Sequence, residues 1–241
     1  MPPTGPSALE LACAAVLELP VAKLSAGRVE LRVFHGSHPW GDQPCPLWIA
    51  QTLLGTVVNV QFPLLESIQA ALLERSPGIP VLAEGGQERL LTAMGRLTPV
   101  ASIWENVTLC VDEQHFVPWH EHPAVPLDPH HQRLRQVRTQ EPVSDSAVEI
   151  SFGVLRAGQV VSYADVQRRN DAVASLGVWT DPEFRNRGMG RSVVSAATRH
   201  LLASGRVAIY ITARDNLASL SLCQALGYQK FGEDLYCFRP K

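Results

Sequence analysis

Residues 172–202 constrain this chain most, because they make a strand hand over to a helix through a glycine-rich turn. The run Ala172-Val173-Ala174-Ser175-Leu176-Gly177-Val178-Trp179 is apolar and strand-like. From Ser192 to Leu202, Val193, Val194, Ala197 and Leu201 recur at helical spacing. Between them lies Arg185-Asn186-Arg187-Gly188-Met189-Gly190-Arg191. Two glycines at i and i+2 keep Cβ atoms away from the backbone N–H groups of the turn. Those N–H groups are the unpaired donors of a helix start, where the macrodipole also favours an anion. Three arginines add permanent positive charge. The loop suits a pyrophosphate, and a plain capping turn is the competing reading.

Two familiar phosphate motifs do not fit. The dinucleotide fingerprint needs a third glycine where Val193 stands, and the P-loop needs a Gly-Lys-Ser/Thr that is absent. Arg185-x-x-Gly188-x-Gly190 instead resembles the [Q/R]-x-x-G-x-[G/A] loop of the GNAT superfamily of N-acetyltransferases. The preceding Val178-Trp179-Thr180-Asp181-Pro182-Glu183-Phe184 is similar to that family's approach out of its fourth strand. A second stretch agrees. Val207 to Thr212 reads as a strand and leads into Asn216-Leu217-Ala218-Ser219-Leu220-Ser221-Leu222-Cys223-Gln224-Ala225-Leu226-Gly227-Tyr228. There Asn216 is a sound N-cap, and Leu217, Leu220, Cys223 and Leu226 make an apolar stripe. Gly227 suits the left-handed residue that ends a helix. The resemblance covers about residues 150–238.

The resemblance implies an α/β fold with a mixed sheet. A GNAT-like acetyltransferase core, residues 126–241, would be preceded by a smaller α/β N-terminal domain, residues 1–125. That N-terminal domain is a candidate degenerate GNAT-like half, although no internal repeat supports the idea. The implied co-substrate is acetyl-CoA, with an amine as acceptor. Its binding residues would be Leu176, Gly177, Val178 and Trp179 on the strand and Arg185, Asn186, Arg187, Gly188, Met189, Gly190 and Arg191 in the loop. Asn216 and Ser219 would contact the pantetheine or the phosphates, with a plain cap as the alternative for Asn216. The family uses a backbone N–H near Val178 for the oxyanion. Its usual glutamate on the fourth strand is missing, because Val173 and Ser175 stand there. Asp165, Glu149 and Asp171 are the remaining candidate bases, each with a solvated surface carboxylate as its bland reading, and a water relay needs none of them. Cys223 occupies the position of the family's proton-donating tyrosine; it is a candidate acid or simply a small buried hydrophobe.

Composition sets outer bounds. With 241 residues and 46% hydrophobic content the chain can bury a substantial core. No apolar run approaches the roughly 18 residues of a membrane span. The opening Met-Pro-Pro-Thr-Gly-Pro lacks the features of a signal peptide. Five cysteines, an odd number without close pairing, suit reduced thiols. The expectation is a cytoplasmic protein with no membrane partner; a dimer is open.

Net charge is −2, but residues 1–132 hold 6 Lys/Arg against 13 Asp/Glu and residues 133–241 hold 15 against 10. A basic C-terminal half suits an anionic ligand such as coenzyme A, and it equally suits attraction between the halves. No basic-aromatic stripe points to nucleic acid. His120-Glu121-His122 and His130-His131 show no metal-ligand spacing, so no metal is expected.

The prolines in 118–131 predict an irregular linker. In the first half the pattern predicts helices over 8–17, 64–74 and 87–94 and strands over 29–34, 55–62 and 107–111. In the second half it predicts a first strand over 134–138, a hairpin of 149–156 with 160–166 around Ala157-Gly158, and a last strand over 235–238. Between Arg138 and Glu149 little room remains for the family's first two helices, so the N-terminal half is expected to supply the missing wall of the acceptor site. Trp40, Trp48, Trp104 and Trp119 are expected in the core or lining a pocket. Two other functions stay open: a catalytically silent acyl-CoA sensor, and an interaction protein whose N-terminal half recruits a macromolecule.

Overall fold

The computed structural model describes residues 5–34, 45–74, 79–83, 85–95, 98–128, 134 and 148–239. In chain order the elements begin with α1 (Ala8–Leu17), β1 (Val29–Phe34), β2 (Leu47–Thr52), β3 (Gly55–Gln61), α2 (Leu65–Leu73), α3 (Gly86–Gly95) and β4 (Ser102–Val111). They continue with β5 (Val125–Leu127), β6 (Val148–Arg156), β7 (Gln159–Arg168), β8 (Val173–Thr180) and α4 (Met189–Ala203). β9 (Val207–Ala213), α5 (Leu217–Ala225) and β10 (Gln229–Phe238) complete the chain. Two compact units result. One comprises Met1–Thr108, Ala213–Asp215 and Phe231–Lys241, and the other Leu109–Thr212 and Asn216–Lys230.

The first unit starts on a capping box. Ser7 Oγ accepts from the Glu10 amide at 3.2 Å while the Glu10 carboxylate accepts from the Ser7 amide at 2.7 Å. Two otherwise unpaired donors are satisfied at once. Its sheet runs β1-β3-β2-β10-β4. β1 lies parallel to β3, and β2 pairs antiparallel with both β3 and β10. The core gathers Leu47, Ile49, Val58, Leu64, Ile68, Met94 and Leu235. Each such side chain, fully buried, contributes about 1.5–3 kcal/mol.

Strand β2 was not expected from the pattern of the sequence. The final strand, expected only over 235–238, begins at Gln229 and pairs with β2, Tyr236 opposite Trp48. Those two rings stack with centroids 5.8 Å apart. Trp104 is largely exposed, though its ring packs against Phe238.

In the second unit the sheet order is β9-β8-β7-β6-β5. β8 is parallel to β9, and the remaining neighbours are antiparallel. β6 and β7 form the expected hairpin, and both turn residues adopt positive φ, Ala157 at 47° and Gly158 at 77°. That is the turn whose twist matches the flanking strands. α4 lies against this sheet, with Phe152 of β6 meeting the His200 ring at 5.5 Å. The expectation of an irregular 118–131 is corrected at Val125–Leu127, which pairs with β6 at the sheet edge. Pro126 is tolerated there because an edge strand can spare an N–H. Of the strand expected over 134–138 only Leu134 is described, and it is corrected there: Leu134 is helical, its side chain buried against Val160 and Tyr163. Trp40, His130 and His131, and the stretch between Arg138 and Val148, also lie outside them.

Candidate functional site

The parallel ladder between β8 and β9 is short. It runs from Val173 opposite Val207 to Leu176 opposite Tyr210, then stops. β8 continues through Gly177, Val178, Trp179 and Thr180, and all four stay paired with β7 on the other side. One edge of β8 therefore has no ladder partner from β9 over its last four residues. Backbone N–H and C=O groups left this way need other partners, which a bound ligand can supply. A Cβ on Gly177 would stand 3.2 Å from Gln167 Nε2, so the glycine also spares a contact within the sheet. The Trp179 ring stacks on Tyr163 at 5.7 Å.

The turn that follows leads into α4. Asp181 caps a short 3₁₀ turn at Pro182–Phe184, accepting from the Glu183 amide at 2.9 Å. Arg185 Nε donates to Thr180 O at 3.0 Å and ties the loop to the strand end. Asn186 and Gly188 take positive φ, 59° and 74°. The first backbone bond of the helix is Ser192 N to Gly188 O at 3.0 Å, so the amides of Met189, Gly190 and Arg191 precede it. Such donors have no intrahelical acceptor. The glycines differ in purpose: Gly188 supplies the left-handed cap, and Gly190 lets the helix approach β8, since a Cβ there would lie 3.1 Å from Thr180 Oγ1. Arg187 projects outward, its guanidinium 5.8 Å from the Phe184 ring centroid.

One neighbour of the loop was not anticipated. A Cβ on Gly188 would meet Glu121 Oε2 at 2.5 Å and Trp119 Nε1 at 3.6 Å. Residues 119–122 lie along α4. The Trp119 amide donates to Ser195 Oγ at 2.8 Å and the His122 amide to Ser192 Oγ at 3.2 Å. His122 Nε2 donates to Arg187 O at 2.6 Å, which leaves Nδ1 to accept from Arg156 Nη2 at 3.0 Å. Arg191 stacks over the Trp119 ring at 4.5 Å. His120 Nδ1 faces Arg199 Nη1 at 3.3 Å. These two histidines are thus engaged with arginines. Among the described residues there is no group of three or more His, Cys, Asp or Glu placed to hold a metal, and no helix is long and apolar enough to cross a membrane.

The candidate catalytic residues fall into different environments. Asp165 on β7 is 1% exposed, opposite Ser151 on β6 and Gly177 on β8, and Ser151 Oγ donates to its Oδ1 at 2.6 Å. Glu149 is exposed, with Arg206 Nη1 at 2.5 Å and Arg168 Nε at 3.8 Å, so its charge is already matched. Asp171 is likewise paired with Arg168. Cys223 is fully buried on α5, and burial pushes its thiol up to about 12. A thiol that holds its proton this firmly is a weak acid at neutral pH.

Asn216 does cap α5, accepting from the Ser219 amide at 3.1 Å. Ser219 Oγ accepts from Tyr210 Oη at 3.4 Å, next to the last ladder pair. Leu217 departs from its expected stripe and is 72% exposed, because the first turn of this short helix faces away from the core. Gly227 closes the helix with φ 86°.

Residues 151–237 match the family model described as FR47-like protein, a GNAT-related family. Among solved structures, a GNAT-family protein from Novosphingobium aromaticivorans superposes with a TM-score of 0.51 at 20% identity, over 59% of this chain and 67% of its own. A Drosophila protein superposes with a TM-score of 0.51 at 16% identity, over 65% of this chain and 58% of its own. The chain therefore spans less than two thirds of the second relative. Among curated proteins none matches the sequence. The fold is that of the GNAT acetyltransferases, as the sequence resemblance implied.

Proposed function

We propose, from the GNAT-superfamily character of residues 151–237, that this chain is an acetyl-CoA-dependent N-acetyltransferase acting by direct transfer to an amine. The observation that carries the reading is the end of the β8–β9 ladder at Leu176 and Tyr210, immediately before a helix start rich in free amides. An extended pantetheine arm would pair with the open edge of Gly177 and Val178, beside Trp179. The diphosphate would lie against the amides of Gly188 to Arg191, neutralised by Arg185, Arg187 and Arg191. Asn216 and Ser219 would border the arm from α5.

In this reading the amine lone pair attacks the thioester carbonyl carbon. A C–N bond forms, the oxygen becomes negative, and the Val178 amide donates to it. The C–S bond then breaks and the electron pair leaves on sulfur. The amine proton passes to the Asp165 carboxylate, which lies buried opposite Gly177 and accepts from Ser151 Oγ. The thiolate regains a proton from solvent, and Cys223, fully buried on α5, is not required as the acid.

A second reading, an acyl-CoA sensor without turnover, draws on the same burial of Cys223 and on the matched charge of Glu149. Free thiol released from acetyl-CoA across a panel of primary amines separates the two. Transfer predicts release with at least one amine, and kcat for Asp165→Asn at least tenfold lower at unchanged acetyl-CoA Kd. Tight binding with no release by any amine would favour the sensor.

A further inference from the structure

The arginine and amide cradle at the start of α4 is not bare; a segment of the same chain lies on it. Glu121 Oε2 stands 2.5 Å from where a Gly188 Cβ would be, so a carboxylate already rests at the helix start, where backbone dipoles favour an anion. Three groups of the loop are engaged by the same four residues. The Arg187 carbonyl accepts from His122, the Arg191 guanidinium covers Trp119, and Gly188 faces Glu121. Ser192 and Ser195, one turn apart on α4, each hold a backbone amide of the segment. Glu121 is itself exposed, and no side chain among the described residues bonds or pairs with its carboxylate. A firmly built structural carboxylate would have such partners.

We infer that residues 119–122 form a displaceable strap, with the Glu121 carboxylate acting as an internal stand-in for the diphosphate. This rests on the coenzyme A reading above. An incoming diphosphate carries more charge than one carboxylate and would displace it, freeing Arg191 from Trp119. Displacement would also release Trp119 Nε1, a buried N–H with no acceptor among the described residues, to find one in solvent. The strap acts as a built-in competitor: apparent affinity falls by the fraction of molecules in which the cradle is covered.

The test compares the full-length protein with Glu121→Gln, titrating coenzyme A and, separately, inorganic pyrophosphate by calorimetry. Glutamine keeps the shape and removes the charge. The expected result is at least fivefold tighter binding of both probes by E121Q. Equal or weaker binding of both by E121Q overturns the strap while leaving the coenzyme A reading in place. If neither protein binds coenzyme A, that reading fails, and pyrophosphate decides for the strap. Binding by E121Q better than by wild type sustains an anion cradle closed by Glu121; equal binding, or none by either, overturns it.

Discussion

Leu176 on β8 and Tyr210 on β9 form the last pair of a four-residue parallel ladder, and the residues after them on β8 keep a partner on one side only. That asymmetry lies where the turn into α4 begins to free its backbone amides. An open strand edge and an unpaired helix start are each common. Their succession within residues 177–191 is what an extended thioester ending in a diphosphate requires.

The double variant Arg185→Ala with Gly188→Ala is expected to raise the acetyl-CoA Kd at least tenfold, about 1.4 kcal/mol. One change removes the guanidinium tied to the end of β8. The other forces a Cβ into a left-handed cap, which costs about 1–2 kcal/mol. Calorimetry, with circular dichroism to show an intact fold, measures the change. An unaltered Kd in a folded protein would refute the phosphate role of the loop.

Two left-handed glycines in the second unit should differ sharply. A Cβ on Gly227 would come within 1.9 Å of His115 O and 2.9 Å of His115 C, both backbone atoms. At Gly205, also at positive φ, it would meet nothing within 4 Å. Gly205→Ala should therefore cost about 1 kcal/mol of stability and Gly227→Ala at least about 3 kcal/mol. Urea denaturation of the two variants reads the difference, and equal losses would mean that the His115 backbone yields freely.

Alkaline pH should weaken the fold through its buried thiols. Burial pushes Cys45 up to about 11, and Cys223 and Cys237 up to about 12, from an ordinary value of 9.0. Above about pH 9 the unfolded chain releases these protons and the native chain keeps them. The unfolded state then binds fewer protons, and stability falls as pH rises toward 12. Below pH 9 both states are protonated and these thiols contribute no slope. Denaturation midpoints at pH 8 and pH 10.5 test this, with Cys223→Ala expected to flatten the fall.

What could be read in advance was local. The Ala157-Gly158 turn, the Asn216 cap and the left-handed Gly227 each state their conformation within a few residues, and the structure has all of them. β2 was missed because Leu47–Thr52 is a short apolar run whose partner, β10, comes from the far end of the chain. Leu217 misled because it fits the spacing of a buried stripe, yet the first turn of α5 presents it to solvent. The strap left no signal either. Glu121 and Gly188 are brought together by packing alone, and Trp-His-Glu-His in a proline-rich stretch reads as linker.

The pairing of β2 with β10 has a consequence for biosynthesis. During synthesis, the flank of β2 that β10 covers stays bare until β10 itself has emerged from the ribosome. Until then the nascent N-terminal sheet presents an unsealed hydrogen-bonding margin beside Trp48, the kind of edge that invites intermolecular pairing. Maturation of the sheet around β2 must therefore wait for a strand made long after it.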